Sequence, residues 1–135
     1  MHTTITCTWR GPFGNDEVER LHAAGFGHPP VGHDWRGQLE RHSLGWVCAR
    51  RPADGALAGF CNVAWDGGGH AFLLDVVVER GLRRAGIATA LVATATEETR
   101  AAGCTWLHVD FEEHLRPFYL DACGFRPTPA GLIAL

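Results

Sequence analysis

The chain has 135 residues, of which 46% are apolar and 20% charged, with a formal net charge of −3. That composition excludes a disordered chain, and apolar runs of only strand length exclude a membrane-spanning helix, which needs about 20 residues. With no extended basic stripe to track phosphates, nucleic acid is excluded as a partner, and the length corresponds to a single domain, residues 1–135.

TITCTWRG alternates as a first strand. NDEVERLHAAGFG then reads as a helix with Asn15 as N-cap, acids in its first turn, Val18 and Leu21 on one face and glycines at its end. After the loop GHPPVG, DWRGQLERHS is a second short helix capped by Asp34. LGWVCARRP and ALAGFCNVAWDGG flank the turn signal PADG and predict an antiparallel hairpin. HAFLLDVVVE is too continuously apolar to have a wet face, which predicts a strand central in the sheet. AGIATALVATATEETRAAG is a helix stopped by Gly103, and CTWLHVDF is a strand parallel to the previous one if that helix is a crossover. LRPFYLDACGF is a short helix with Pro117 in its first turn, and FRPTPAGLIAL one or two short strands. The expected fold is α+β, with a mixed sheet.

Five widely spaced cysteines without a C-x-x-C pair fit reduced, core-filling thiols. His28 and His33 lack the second Cys or His pair of a zinc site, so no metal is expected. MHTTITCTWRG lacks the charged-then-apolar order of an export signal, so a cytoplasmic location is expected.

The local basic cluster Arg80, Arg83 and Arg84 lies between the apolar strand and the small-residue helix start. A helix N-terminus leaves about four amides unpaired and carries partial positive charge, which together bind anions. Gly86 and Ala88 lack the bulk that would hold a phosphate away from those amides. No G-K-S/T follows the strand and no G-x-G-x-x-G is present, so neither a P-loop nor a dinucleotide fingerprint fits. Residues Arg83 to Ala88 read R-x-x-G-x-A instead.

This turn resembles the Q/R-x-x-G-x-G/A turn of the GNAT N-acetyltransferase superfamily. HLRPFYLDACGF is similar to that family's later segment, with Phe118-Tyr119 ahead of Gly124-Phe125, and the order of elements fits over nearly the whole chain. The resemblance implies a mostly antiparallel sheet of about six or seven strands flanked by about four helices. It implies that Arg83, Arg84, Ala85, Gly86, Ile87 and Ala88 bind the pyrophosphate of acetyl-CoA, and that the backbone of Val76, Val77 and Val78 pairs with its pantetheine arm. A backbone N–H there would face the thioester oxygen. Tyr119 matches the tyrosine that donates a proton to the departing thiolate. Its bland alternative is packing beside Leu115 and Ala122.

The chain departs from the family pattern at Glu112, where many members have asparagine, and at Leu115 and Pro117. The brief C-terminal segment suggests last strands that are stunted or completed by a partner chain, as in a homodimer. An acceptor amine must lose a proton, and the base candidates are Asp75, which interrupts the apolar strand, and the strand-end acids Asp110, Glu112 and Glu113. Asp75 and the others read equally as structural or solvated acids. In this family the region between the first two helices, here GFGHPPVGHDW with His28, His33 and Trp35, lines the acceptor pocket. The expected activity is acetyl transfer to a primary amine. The alternative is a non-catalytic CoA-binding sensor or regulatory module on the same fold.

Overall fold

Period-two patterning in the β-rich runs and 3.6-residue patterning between them produce an ordered series of elements. The computed structural model describes residues 4–83 and 85–135. They form β1 (Thr6–Trp9), α1 (Asn15–Phe26), α2 (Trp35–His42), β2 (Ser43–Arg50), β3 (Leu57–Trp65), β4 (His70–Val78), α3 (Ile87–Ala101) and β5 (Trp106–Val109). A final helix, α4 (Pro117–Ala122), is wound with π-type turns. The sheet runs β1-β2-β3-β4-β5, antiparallel up to β4 and parallel between β4 and β5, which α3 connects. This is the expected α+β fold with a mixed, mostly antiparallel sheet and four helices.

Each face of the sheet carries its own core. Val47, Val63, Leu73 and Val78 pack with Ile87, Leu91 and Val92 of α3 on one side. Trp46, Phe60 and Val77 pack with Val18 and Leu21 of α1 and Trp35 and Leu39 of α2 on the other. Val18, Leu39 and Phe60 are completely buried, each contributing roughly 1.5–3 kcal/mol.

Three local expectations change. Asn15 is not the N-cap of α1; Gly14 is, and its N–H donates to Glu17 Oε1 at 2.9 Å. The Asn15 side chain instead ties α1 to α2, donating to Asp34 Oδ1 and accepting from the Arg36 N–H. Asp34 does cap α2, accepting from the Gly37 N–H at 3.1 Å.

The strand β4 is interior but not dry on both faces, since Phe72 and Leu74 are 39% and 40% exposed. α1 packs on that face of β4 toward Val77 and leaves Phe72 and Leu74 partly open. Finally, the sheet has five strands rather than six or seven, because residues 126–135 form none. Pro127 and Pro129 have no N–H to offer a ladder there.

Candidate active site

Backbone geometry at the end of β4 builds the turn that the sequence marks as a candidate anion site. Glu79 donates its N–H to the Ala58 carbonyl at 2.8 Å, a single turn of 3₁₀-helix follows at Arg80–Leu82, and Ala85 donates to the Leu82 carbonyl at 3.1 Å. Gly86 then adopts φ 78° and ψ 10°, the left-handed region glycine alone enters freely, and α3 starts at the next residue. Ala90 donates to the Gly86 carbonyl at 3.1 Å, so the amides of Ile87, Ala88 and Thr89 precede the intrahelical ladder. Among the described residues, no atom lies within 4 Å of a Cβ built on Gly86. Arg83 is exposed beside those amides. Arg80 instead reaches the Ala24 carbonyl near the end of α1 at 3.3 Å. Arg84 lies outside the described residues.

Upstream, β4 parts from β5. Their pairing ends at Leu73 opposite Val109, so among the described residues Leu74 to Val78 have β3 on one edge and no strand on the other. Because Glu79 turns its N–H to β3, alternation points the N–H and C=O of Val78 to the open edge. A bulge sits just before: Phe60 faces Val77 and Asn62 faces Leu74, so Asp75 and Val76 together oppose Cys61.

The bulge reverses the parity of the strand. Before it, Ala71 and Leu73 face the α3 core; after it, Val78 faces that core and Val77 faces α1 and α2. Asp75, at φ 57°, absorbs the switch. A regular strand would have buried its carboxylate with Leu73 against α3.

The carboxylate points instead to the α1 side. Asp75 Oδ1 lies 3.0 Å from His22 Nε2, and Oδ2 lies 3.4 Å from the amide nitrogen of Asn62. Asn62 is buried and accepts in turn from the Ser43 hydroxyl at 2.5 Å, which orients its amide toward Asp75. His22 Nδ1 lies 2.7 Å from His28 Nε2, and His28 Nδ1 lies 2.9 Å from the Pro29 carbonyl oxygen. His22, His28 and Asp75 border an open pocket of about 300 Å³, lined also by Glu19, Val31, His33, Trp35 and Gln38. Glu19 is buried yet anionic: the Val31 N–H and the Trp35 indole N–H, at 2.6 and 2.9 Å, hold its carboxyl below the usual range.

Tyr119 of α4 is 6% exposed, stacked on Phe111 at 5.2 Å and in edge contact with Phe118 and Phe125. Burial pushes its phenol up to about 12, so the group stays protonated at any ordinary pH.

The sequence matches the Acetyltransferase (GNAT) family over residues 8–125. This chain belongs to the GNAT acetyltransferase family. Its fold is that of a Trypanosoma brucei acetyltransferase, with 20% identity, 97% of this chain and 99% of that one covered, and a TM-score of 0.83. Glucosamine-6-phosphate N-acetyltransferase from Arabidopsis thaliana matches with 13% identity, 98% of each chain and a TM-score of 0.79. The aminoglycoside N-acetyltransferase AAC(6′)-Iy, in complex with CoA, matches with 20% identity, 100% and 96% coverage and a TM-score of 0.78. No curated relative matches the sequence.

In this GNAT domain the sequence candidates divide. Asp75, His28, His33 and Trp35 meet at one pocket. Ala85 to Ala88 form the turn, and Val76 to Val78 the open edge. Glu112 is outside both, 81% exposed with His114 Nδ1 at 3.4 Å, and Glu113 pairs with Arg116. Sequence reasoning missed His22. The available signal was helical spacing: Glu19, His22 and Phe26 share one face of α1, beside the apolar face of Val18 and Leu21.

Proposed function

We propose that this protein is an acetyl-CoA-dependent N-acetyltransferase that transfers the acetyl group directly to a primary amine. The observation that carries this reading is the sequence of features along one strand. An acidic pocket stands at the bulge of β4, an open backbone edge follows it, and a small-residue turn with Gly86 in the left-handed region closes the series at the start of α3.

In this reading Arg83, Arg84 and the amides of Ala85 to Ala88 hold the pyrophosphate, and Gly86 leaves it room. Val76, Val77 and Val78 present the edge that pairs with the pantetheine arm, and an N–H there faces the carbonyl oxygen as negative charge develops on it. The amine meets Asp75 rather than the exposed Glu112. Its neutral nitrogen attacks the thioester carbon; the C–N bond forms, the C–S bond breaks, and the nitrogen sheds its surplus proton, which the departing thiolate takes up, leaving an amide and the CoA thiol. A phenol near 12 beside a thiol near 8.5 makes early proton transfer from Tyr119 uphill by about 5 kcal/mol. Tyr119 therefore acts as a hydrogen-bond donor that strengthens as the thiolate forms.

Thermal unfolding with acetyl-CoA tests the reading, with inorganic phosphate at matched ionic strength as control. A ligand at about 100 times its dissociation constant adds roughly 2.7 kcal/mol, or several degrees for a domain of this size. CoA release with benzylamine, spermidine and glucosamine is then followed by mass spectrometry. A shift with acetyl-CoA alone and release with one of these amines is the expected result. A shift without release from any amine favours the non-catalytic CoA-binding module, and no shift removes both readings.

A further inference from the structure

The chain of contacts at Asp75 has three hydrogen bonds but, with neutral rings, only two protons to fill them. The Pro29 carbonyl oxygen can only accept, so His28 Nδ1, 2.9 Å away, carries a hydrogen. In a neutral ring His28 Nε2 is then a bare lone pair. It lies 2.7 Å from His22 Nδ1, which must therefore carry the hydrogen of that link. A neutral His22 then turns a bare Nε2 toward Asp75 Oδ1 at 3.0 Å, where two acceptors face each other without a proton between them. The vacancy falls at the end of the chain that opens on the pocket.

We propose that this vacancy receives the proton of the acceptor amine, so that His22, held in its tautomer by His28 and Pro29, is the base and Asp75 the docking point for the ammonium group. The proposal rests on the N-acetyltransferase reading above and names the proton acceptor and the substrate class of that site. Among the described residues, Asp75 Oδ2 has only the 3.4 Å contact with Asn62, and it keeps lone pairs for an incoming ammonium. An N–H bond of the ammonium breaks, the proton crosses Asp75, and an N–H bond forms at His22 Nε2. All three links are then filled, the rings carry one positive charge against the carboxylate, and the amine has the lone pair with which it attacks. Once product has left, His22 returns the proton to water through the open pocket.

Charged and titratable groups face the pair from the elements around it. Glu19 of α1, one turn before His22, is a fixed anion; Asp75 of β4 is the second; His28 and His33 stand on the connecting loop. From α2 only Trp35 and Gln38 line the pocket, with no charge of their own. Two carboxylates around one cavity select a substrate that arrives as a primary ammonium ion rather than a neutral or anionic acceptor.

Imidazole ¹⁵N NMR of the full chain across the pH range tests the proton seat without any substrate. The expected basic form has hydrogens on His22 Nδ1 and His28 Nδ1. On acidification one proton is shared by the pair, entering at His22 Nε2, before a second is taken up. Asp75→Asn, whose amide can itself donate into the link, abolishes that shared step. Finding the Nε2–H tautomer of His22 in the basic form, or two rings titrating independently and unaffected by Asp75→Asn, overturns the proposal.

His22→Gln is the second arm. Expected is retention of the wild-type thermal shift with acetyl-CoA, a fall in turnover of at least a hundredfold with the amine that wild type uses, and loss of the rising acid limb of kcat/KM. An unchanged pH profile overturns the assignment. If wild type itself shows no shift with acetyl-CoA, the N-acetyltransferase reading has failed, whereas the NMR result still decides where the proton sits.

Discussion

Asp75 Oδ1 lies 3.0 Å from Nε2 of His22, a residue 53 positions earlier in the chain. The contact exists because one extra residue in β4 turns a carboxylate from the α3 core to the α1 side, and because α1 lies close enough on β4 to meet it. Gly25 permits that approach. A Cβ built on it would stand 2.2 Å from Val77 Cγ2.

Gly25→Ala therefore forces α1 off β4 three residues after His22. We expect a loss of about 1–3 kcal/mol, read as a lower urea midpoint. Adding Val77→Ala relieves the clash, so the double variant loses less than the two single losses combined. Additive losses would show that the two side chains do not compete for one space.

Gly86→Ala separates backbone strain from steric clash. No atom of the described residues lies within 4 Å of the added Cβ, so its cost is that of φ 78°, about 1–2 kcal/mol. The turn relaxes to relieve it and moves the amides at the start of α3. Expected is a slightly less stable protein whose thermal shift with acetyl-CoA is lost or strongly reduced.

Tyr119→Phe keeps the stack on Phe111 and removes the hydroxyl. The expected result is an unchanged acetyl-CoA shift with turnover lowered roughly tenfold to a hundredfold. Equal turnover would leave Tyr119 a packing residue.

The same tyrosine predicts an alkaline limit. Its phenol is raised from 10 to about 12 in the folded state, so the unfolded chain gives up this proton first as pH rises. Stability is full below pH 10 and falls between 10 and 12 by up to about 3 kcal/mol. Urea unfolding of wild type against Tyr119→Phe at pH 9 and pH 11 measures it: the variant lacks this part of the decline.

At the acid end the Glu17–Arg50 pair joins the first turn of α1 to β2. Hydrogen bonding to Arg50, opposed by partial burial and aided by the Gly14 N–H, lowers the Glu17 carboxyl below 4.5. This stabilisation is present above 4.5 and is lost as pH falls through the folded value. Both side chains are partly exposed, so about 1 kcal/mol separates wild type from Glu17→Gln at pH 7. That gap closes toward pH 3, and a gap independent of pH would assign the effect to packing.

What could be read from the chain alone was local. A proline, a glycine or a cap acts within a few residues, so the hairpin around PADG, the Asp34 cap, the glycine stop of α3 and the small-residue turn at Gly86 were visible one after another. The R-x-x-G-x-A turn and the Phe118-Tyr119 pair were likewise contiguous. The pocket was visible only in part, as His28, His33, Trp35 and an unexplained aspartate within an apolar run.

The sequence by itself determined the order of elements as far as α4, the conformation of the turn at Gly86 and the fold class, because period and turn chemistry are properties of neighbouring residues. Tertiary structure alone decided the bulge, the open edge of β4 and the partnership of His22 with Asp75. A bulge is a mismatch of register between two strands, and which face Asp75 takes depends on how Cys61 of β3 is counted against it. His22 acquires its role only when α1 packs across that bulge, and no pattern in either segment encodes the distance between them.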